Sequence, residues 1–365
     1  MFVGHTTIRA TLSVVIVLVV SFALTAAVSS AYRRQRAALG EMHYDRAHWS
    51  AQHGRMGDAV EEFRQALLYL PEDTRYRLSL ATALLDTGHL NEAQTHLEQL
   101  LQEDPTNGEI NLALAQVALK RGNMSRAVEY YQRAVYEYWP SSRISERRQA
   151  RWELVNLLEE AGQHAEVVGE LIQLYASAPN DPKERSTIGF ELLKYGAVSE
   201  AAEIFGNLER KFPQEEYGHR GLAEVNLSRG DYVAARHEFQ HALRLDPKDH
   251  ESTEGLGLVN TVIELDPSLP RIGGAERLRR GRNLLDRVVD YITECAGTRA
   301  WSDALNQELD DAHKLLLDKR SRNDDFNLEL QQAAQRLWQN RFSYCGTLAA
   351  PDRAAELALA KLRDE

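Results

Sequence analysis

The sequence of 365 residues predicts an all-α protein, in which one membrane-spanning helix precedes a stack of helical hairpins and a C-terminal helical cap. Three observations predict this class: glycines that recur every 34 residues, apolar residues at helical spacing between them, and an uncharged apolar stretch near the N-terminus. One step of 40 residues interrupts the period. The recurring glycines are Gly54, Gly88, Gly122, Gly162, Gly196 and Gly230.

Residues 10–32 contain no charged side chain between Arg9 and Arg33. A bilayer-spanning helix needs about 20 apolar residues, so this stretch predicts a transmembrane helix or signal anchor. We expect residues 1–9 to form a short tail and the basic residues 33–39 to form a linker to the first hairpin.

An exported protein with a cleaved signal peptide is the alternative, because Ser29–Ala31 offers small residues at a cleavage site. Arg33, Arg34 and Arg36 outweigh Arg9 as flanking charges, and this balance favours repeats on the cytoplasmic side. An extracytoplasmic position stays open.

Each period contains two stretches of helical periodicity, for example Arg75–Asp86 and Leu90–Leu101, with a glycine turn between them. A small residue follows each glycine by five positions: Ala59, Ala93, Ala127, Val167, Ala201 and Ala235. A large apolar residue follows by nine: Phe63, Leu97, Tyr131, Leu171, Phe205 and Phe239. A proline then ends five of the six periods, and Trp139 takes its place in the third.

This pattern resembles the tetratricopeptide repeat, a 34-residue pair of helices. The small-residue column at repeat position 8 is Ala47, Ala81, Ala115, Val155, Gly189 and Ala223, whereas the usual tryptophan at position 4 is missing. The resemblance covers residues 40–249 and implies a solenoid without a single central core. Its six units are 40–73, 74–107, 108–141, 148–181, 182–215 and 216–249.

Six residues, 142–147, are inserted between the third and fourth units. A tolerated loop explains them, and a bend that presents an arginine patch to an acidic partner is the alternative. The patch would consist of Arg143, Arg147, Arg148 and Arg151.

After Asp249 the repeat pattern decays. Residues 250–274 predict a degenerate half-repeat and a joint, because prolines and glycines cluster there. Residues 275–365 predict further helices that cap the open end of the array. A separate recognition domain is the alternative.

The resemblance implies that a protein or peptide partner binds in a concave groove lined by the first helix of each unit, at repeat positions 2, 5, 9, 12 and 13. The residues carried over to this groove are Tyr44, His48, Leu78, Thr82, Leu112, Gln116, Trp152, Asn156, Phe190, Tyr217 and Arg220. The lysine–asparagine clamp that some family members use for C-terminal carboxylates is not matched, since only Asn156 fits it.

The remaining motifs favour a scaffold without catalysis, cofactor or metal. A net charge of −11 argues against nucleic-acid binding, and Cys295 and Cys345 are too few for a cysteine zinc knuckle. The segment His237–His241 matches the H-E-x-x-H pattern of zinc peptidases, in which Glu238 would be the general base. It also falls on the second helix of the sixth unit, where the repeat already explains the apolar residues. The oligomeric state is not predicted.

Overall fold

The computed structural model describes residues 3–296, 302–319, 324–345 and 352–362. Within these ranges the regular structure is helical, and a single isolated bridge pairs Asn107 with Tyr138. The predicted all-α solenoid is therefore confirmed. The chain forms two compact units, one reaching to Glu170 and the other beginning at Leu171.

The first unit contains the N-terminal helix and the first hairpins. Its helices are α1 (Val3–Gln52), α2 (Met56–Tyr69), α3 (Thr74–Asp86), α4 (Leu90–Glu103), α5 (Gly108–Lys120), α6 (Met124–Tyr136) and α7 (Ile144–Glu160). A short 3-10 turn, Ser141–Arg143, precedes α7, and α8 (His164–Ser177) begins in this unit.

Helix α1 runs without a break from the apolar stretch into the first hairpin. Residues 33–39, which we expected to form a linker, lie inside it. No proline or glycine occurs in Arg33–Leu39, and arginine, glutamine, alanine and leucine all favour helix, so nothing in this stretch ends the helix.

Each hairpin turns at its recurring glycine. All six glycines have φ between 70° and 81°, a conformation that costs glycine little and other residues more. The residue after each glycine donates its N–H to the carbonyl five positions earlier, as His89 does to Leu84 at 2.8 Å. This bond satisfies a carbonyl that the helix end would otherwise leave unpaired.

The paired helices meet at the columns that the sequence defined. The six small residues that follow the glycines are completely buried, and the six large residues are at most 3 % exposed. Because a small side chain faces the neighbouring helix, the backbones approach closely and the large residue fills the space beside them.

Trp139 stands where the other five periods have a proline, and it packs against the neighbouring helices. Its indole Nε1 donates to the carbonyl of Ala134 at 2.6 Å, and the ring lies against Gly108. A Cβ atom on Gly108 would be 2.0 Å from Nε1, so the indole occupies space that only a glycine leaves free.

The second unit contains the later hairpins and the C-terminal helices. They are α9 (Pro182–Lys194), α10 (Val198–Lys211), α11 (Tyr217–Ser228), α12 (Tyr232–Leu245), α13 (His250–Leu265), α14 (Gly274–Ala296), α15 (Asp303–Leu317), α16 (Asp324–Cys345) and α17 (Arg353–Lys361). Residues 297–301, 320–323, 346–351 and 363–365 of the predicted C-terminal region lie outside the described residues.

The C-terminal helices share one hydrophobic core with the sixth hairpin. This core runs from Ala223 to Leu359, and the Tyr232 hydroxyl donates to the Leu357 carbonyl at 2.8 Å. A disulfide joins Cys295 at the end of α14 to Cys345 at the end of α16. The C-terminal helices thus pack against the sixth hairpin, and their role as a cap stays a prediction.

Two glycines of α13 provide a matched stability test. A Cβ atom on Gly255 would lie 2.3 Å from Cζ of Phe239, whereas one on Gly257 would meet no atom within 4 Å. We expect Gly255→Ala to lower the free energy of unfolding by about 1–3 kcal/mol through overpacking. Gly257→Ala should raise it by about 0.5–1 kcal/mol, because alanine favours helix. Urea unfolding followed by far-UV circular dichroism measures both free energies. Equal effects of the two substitutions would contradict the close contact between Gly255 and Phe239.

Candidate functional site

The first unit has a concavity of about 380 Å³ between the first helices of its hairpins. Five of the predicted groove residues line it, together with Phe63 from α2 and Trp139 and Arg143 from the segment before α7. The five are His48, Leu78, Thr82, Leu112 and Gln116. Helices α1, α3 and α5 therefore present side chains at repeat positions 5 and 9 to one surface.

A second concavity of about 490 Å³ adjoins the first, because Asp86 and Gln116 line both. Its other wall comes from α7 and includes Asn156, also a predicted groove residue. The two concavities form one continuous surface across α1, α3, α5 and α7, which we call the groove.

Two carboxylates in the groove have no intramolecular counterion. Asp86 and Glu160 are exposed, and within the described residues neither has an ion pair or a hydrogen bond from a side chain. Glu153 differs, because the buried Tyr131 hydroxyl donates to it at 2.7 Å. Burial, together with this bond, raises the pKa of Tyr131.

The groove also contains an internal ion pair. Glu109 pairs with Arg143, which comes from the 3-10 turn before α7 and also contacts Glu146 at 3.3 Å. The inserted segment thus contributes one wall of the first concavity.

Repeat position 13 places Asp86, Lys120 and Glu160 in the groove, and these residues were not among the predicted site residues. The resemblance offered the signal, because position 13 is one of the groove positions of the family. Glu109 occupies position 2 of its unit and could have been found in the same way. The part played by Trp139 and Arg143 had no such signal, since both lie in the irregular segment between units.

Two predicted groove residues of this unit pack elsewhere. Tyr44 stacks on Tyr76 at 4.7 Å between ring centroids and contacts Phe63 edge-on, so it belongs to the packing between the first two hairpins. Trp152 is half-buried on α7 and does not line either concavity.

The predicted residues of the second unit form a cluster around Arg220. Its guanidinium lies 4.9 Å from the Phe190 ring centroid and 5.7 Å from that of Tyr217. It also pairs with the buried Asp249 at 3.1 Å. Burial alone would raise the pKa of Asp249, but the hydrogen bond from Ser252 and the Arg220 charge keep it below its usual value. These internal contacts occupy Arg220.

Arg147 and Arg151, two arginines of the patch proposed around the insertion, also bind partners within the fold. Arg147 donates to the Val135 carbonyl at 2.7 Å, and Arg151 is buried beside Glu170, with Nε and Oε2 3.1 Å apart. This contact is an ion pair without hydrogen-bond geometry, since neither atom has a hydrogen-bond partner. Burial lowers the pKa of Arg151, and Glu170 opposes the effect. The arginine patch proposed for an acidic partner is therefore largely part of the fold.

The H-E-x-x-H segment lies on α12, where Glu238 is held by His219 at 2.7 Å. The first hairpin has the same pair at the same repeat positions, His43 and Glu62 at 2.6 Å, although it lacks the motif. The pair thus follows from the repeat. The His219 and His241 rings stack with centroids 4.9 Å apart, and among the described residues no cluster has the arrangement of a metal site.

Helix α1 is the described helix with the length and composition to cross a bilayer, with a mean hydropathy of 2.2 over its most apolar window. None of that window is buried in the protein. Length and composition alone would also fit a signal sequence.

Two family models, both described as tetratricopeptide repeat, match the sequence. One matches residues 78–143 and 191–250, and the other matches residues 50–100. No curated protein matches the sequence significantly.

Several solved structures have a similar fold. YrrB, described as a repeat protein of this kind with an unusual peptide-binding site, is 16 % identical with a TM-score of 0.40, over 53 % of this chain and 97 % of its own. PilF of Pseudomonas aeruginosa is 15 % identical with a TM-score of 0.39, over 60 % and 97 %. The C-terminal part of a repeat protein from Cytophaga hutchinsonii is 13 % identical with a TM-score of 0.41, over 86 % and 98 %. Because all three TM-scores are below 0.5, no property of this chain is inferred from these structures.

The buried pair of Arg151 and Glu170 allows a test of whether Arg151 stabilises the fold. Glu170→Gln should lower the free energy of unfolding by about 3–5 kcal/mol, because it leaves the buried Arg151 without a counterion. The control is Glu129→Gln, which removes an exposed pair with Arg133 and should cost less than about 0.5 kcal/mol. Urea unfolding compares the two variants. If both variants lost equally little free energy of unfolding, Arg151 would again be a candidate for binding an acidic partner.

Proposed function

Because the chain is a tetratricopeptide-repeat protein, and so of the protein-interaction class, we propose that it is a membrane-anchored scaffold whose groove holds a protein partner near the bilayer. The main support for this proposal is the groove, because the first helices of successive hairpins line one continuous surface. Helix α1 supplies the anchor, and its large apolar side chains from Val15 to Val28 are exposed.

The partner segment carries apolar residues together with lysine or arginine. Leu78 and Leu112 offer apolar contact in the first concavity, and Asp86 lies where the two concavities meet. A cationic side chain beside Asp86 and Glu160 would gain a counterion, because Lys120, which lines the second concavity with them, forms an ion pair with neither among the described residues. The net charge of −11 would attract such a side chain.

The scaffold has no catalysis of its own in this proposal. The support comes from the peptidase-like segment, where Glu238, the general base of a zinc enzyme, is bonded to His219.

On sidedness, two features favour opposite sides of the membrane. Arg33, Arg34 and Arg36 favour the cytoplasm, but against Arg9 and the N-terminal amine their excess is only about one charge. The Cys295–Cys345 disulfide favours an oxidising compartment, because reducing systems in the cytoplasm keep thiols free. We therefore propose that the repeats lie on the extracytoplasmic side.

Thr82 and Thr95 form a matched pair for testing the groove. Both are exposed and each donates to the carbonyl four residues earlier at 3.0 Å, but only Thr82 lines the groove. We expect Thr82→Arg to weaken partner binding about tenfold or more, since arginine fills the first concavity and repels a basic segment. Thr95→Arg should leave binding unchanged.

Photo-crosslinking from Gln116 in native membranes measures this difference, because Gln116 lines both concavities. The crosslinked partner identifies the ligand, and its yield in the two variants reports the groove. Equal yields in Thr82→Arg and Thr95→Arg would contradict binding at this surface.

The disulfide gives a test of sidedness. In unreduced membranes a maleimide reagent of high mass should add nothing to the chain, and after reduction it should add two groups, one at each cysteine. The single variant Cys295→Ser should take one group without reduction, because Cys345 then has no partner. Free thiols in the unreduced wild-type chain would instead indicate the cytoplasmic side.

A further inference from the structure

The continuity of α1 sets the distance between the first hairpin and the end of the apolar span. An α-helix rises 1.5 Å per residue, so Gly40 lies about 12 Å beyond Tyr32. At Gly40 the hairpin stack already contacts α1, since a Cβ atom there would lie 3.2 Å from the Tyr76 ring and 3.5 Å from Leu70.

One end of the first hairpins therefore faces the bilayer closely. Helix α2 runs back toward the span, and α3 starts at Thr74, two residues before Tyr76. The headgroup layer is about 5–8 Å thick on each side of the hydrocarbon core. The connection between α2 and α3 thus lies at its outer surface.

Arg36 fixes this arrangement. Its guanidinium donates to the Leu68 carbonyl near the end of α2 at 3.2 Å and lies 5.9 Å from the Tyr32 ring centroid. One side chain thereby connects the hairpin to the last turn of the span, and a tyrosine at this level suits a membrane interface.

Arg33 and Arg34 are left to face the lipid. Both are exposed, and within the described residues neither has an intramolecular ion pair. They lie about 1.5–3 Å beyond Tyr32, inside the headgroup layer. The opposite charges nearby are partly neutralised, because Arg75 pairs with Asp73 at 3.0 Å and with Glu41 at 3.6 Å.

We propose that this end of the first two repeats is a phospholipid-contact surface, in which Arg33 and Arg34 bind headgroup phosphates and the α2–α3 connection rests on the headgroup layer. The proposal rests on the membrane anchor proposed above. It adds that the array is seated on the bilayer in one orientation. The partner is the phospholipid itself.

The test uses the full chain in phosphatidylcholine vesicles, with or without phosphatidylglycerol. A fluorophore is attached at Thr74→Cys or at the control position Thr95→Cys. Both threonines are exposed, but Thr95 lies eight residues, or about 12 Å, before the bilayer-facing end of α4. A phospholipid carrying a spin label on its headgroup serves as quencher. The chain without an added cysteine gives the background, since its own cysteines are paired.

We expect stronger quenching at position 74 than at position 95, with a further increase when phosphatidylglycerol is present. Replacing Arg33 and Arg34 by glutamine should remove that increase. Equal quenching at the two positions, in a chain that floats with the vesicles after alkaline extraction, would overturn the contact surface and leave the anchor intact. A chain that alkaline extraction releases from the vesicles would overturn the anchor, and the contact surface with it.

Discussion

Each hairpin closes because a glycine adopts a positive φ, and the two helices that it joins can then meet along a column of small residues. The turn and the column depend on each other. Without the left-handed residue, the carbonyls at the end of the first helix would lose the bond that Leu84 accepts from His89. Without the buried alanines, the helices would stand too far apart for residues such as Phe205 to fill the interface. The groove inherits its shape from this spacing.

The same packing explains why some positions tolerate no side chain. The Phe205 ring lies against Gly189 and Gly221, and Phe239 lies against Gly255. A large ring is thus accommodated by missing side chains in its own hairpin, as at Gly189, and in the next one, as at Gly221 and Gly255. Neighbouring repeats are fitted to one another in pairs, which is the nearest-neighbour coupling expected of a solenoid.

The periodic part of the fold could be predicted from the sequence because every unit repeats the same local solution. Gly88, Ala93 and Leu97 have the same roles as their counterparts in the other units, and a pattern that recurs six times is visible without structure. What lay outside the period was harder to foresee. Trp139 substitutes for a proline by filling the space over Gly108, and such replacement depends on three-dimensional packing. The continuity of α1 through residues 33–39 was missed because basic residues after an apolar span suggest a flexible joint, although their helix propensity is high.

For the groove, sequence reasoning located the helices and several of the side chains that line it. Leu78 and Leu112 followed from repeat positions that are common to the family. The charge of the surface did not follow, because it depends on which carboxylates find partners within the fold. Glu153 is occupied by Tyr131 and Glu109 by Arg143, whereas Asp86 and Glu160 are not. Only coordinates distinguish an acidic residue with a partner inside the fold from one without such a partner among the described residues.

The unbroken α1 helix also determines the direction of the groove relative to the apolar part of the same helix. A helix of 3.6 residues per turn rotates by about 100° with each residue. The number of residues between Tyr32 and Gly40 therefore sets the direction in which the first hairpins project from the helix axis. Deleting one residue there would turn this surface by more than a quarter circle while leaving every repeat intact. The length of this helical segment therefore sets the direction of the groove relative to the apolar helix.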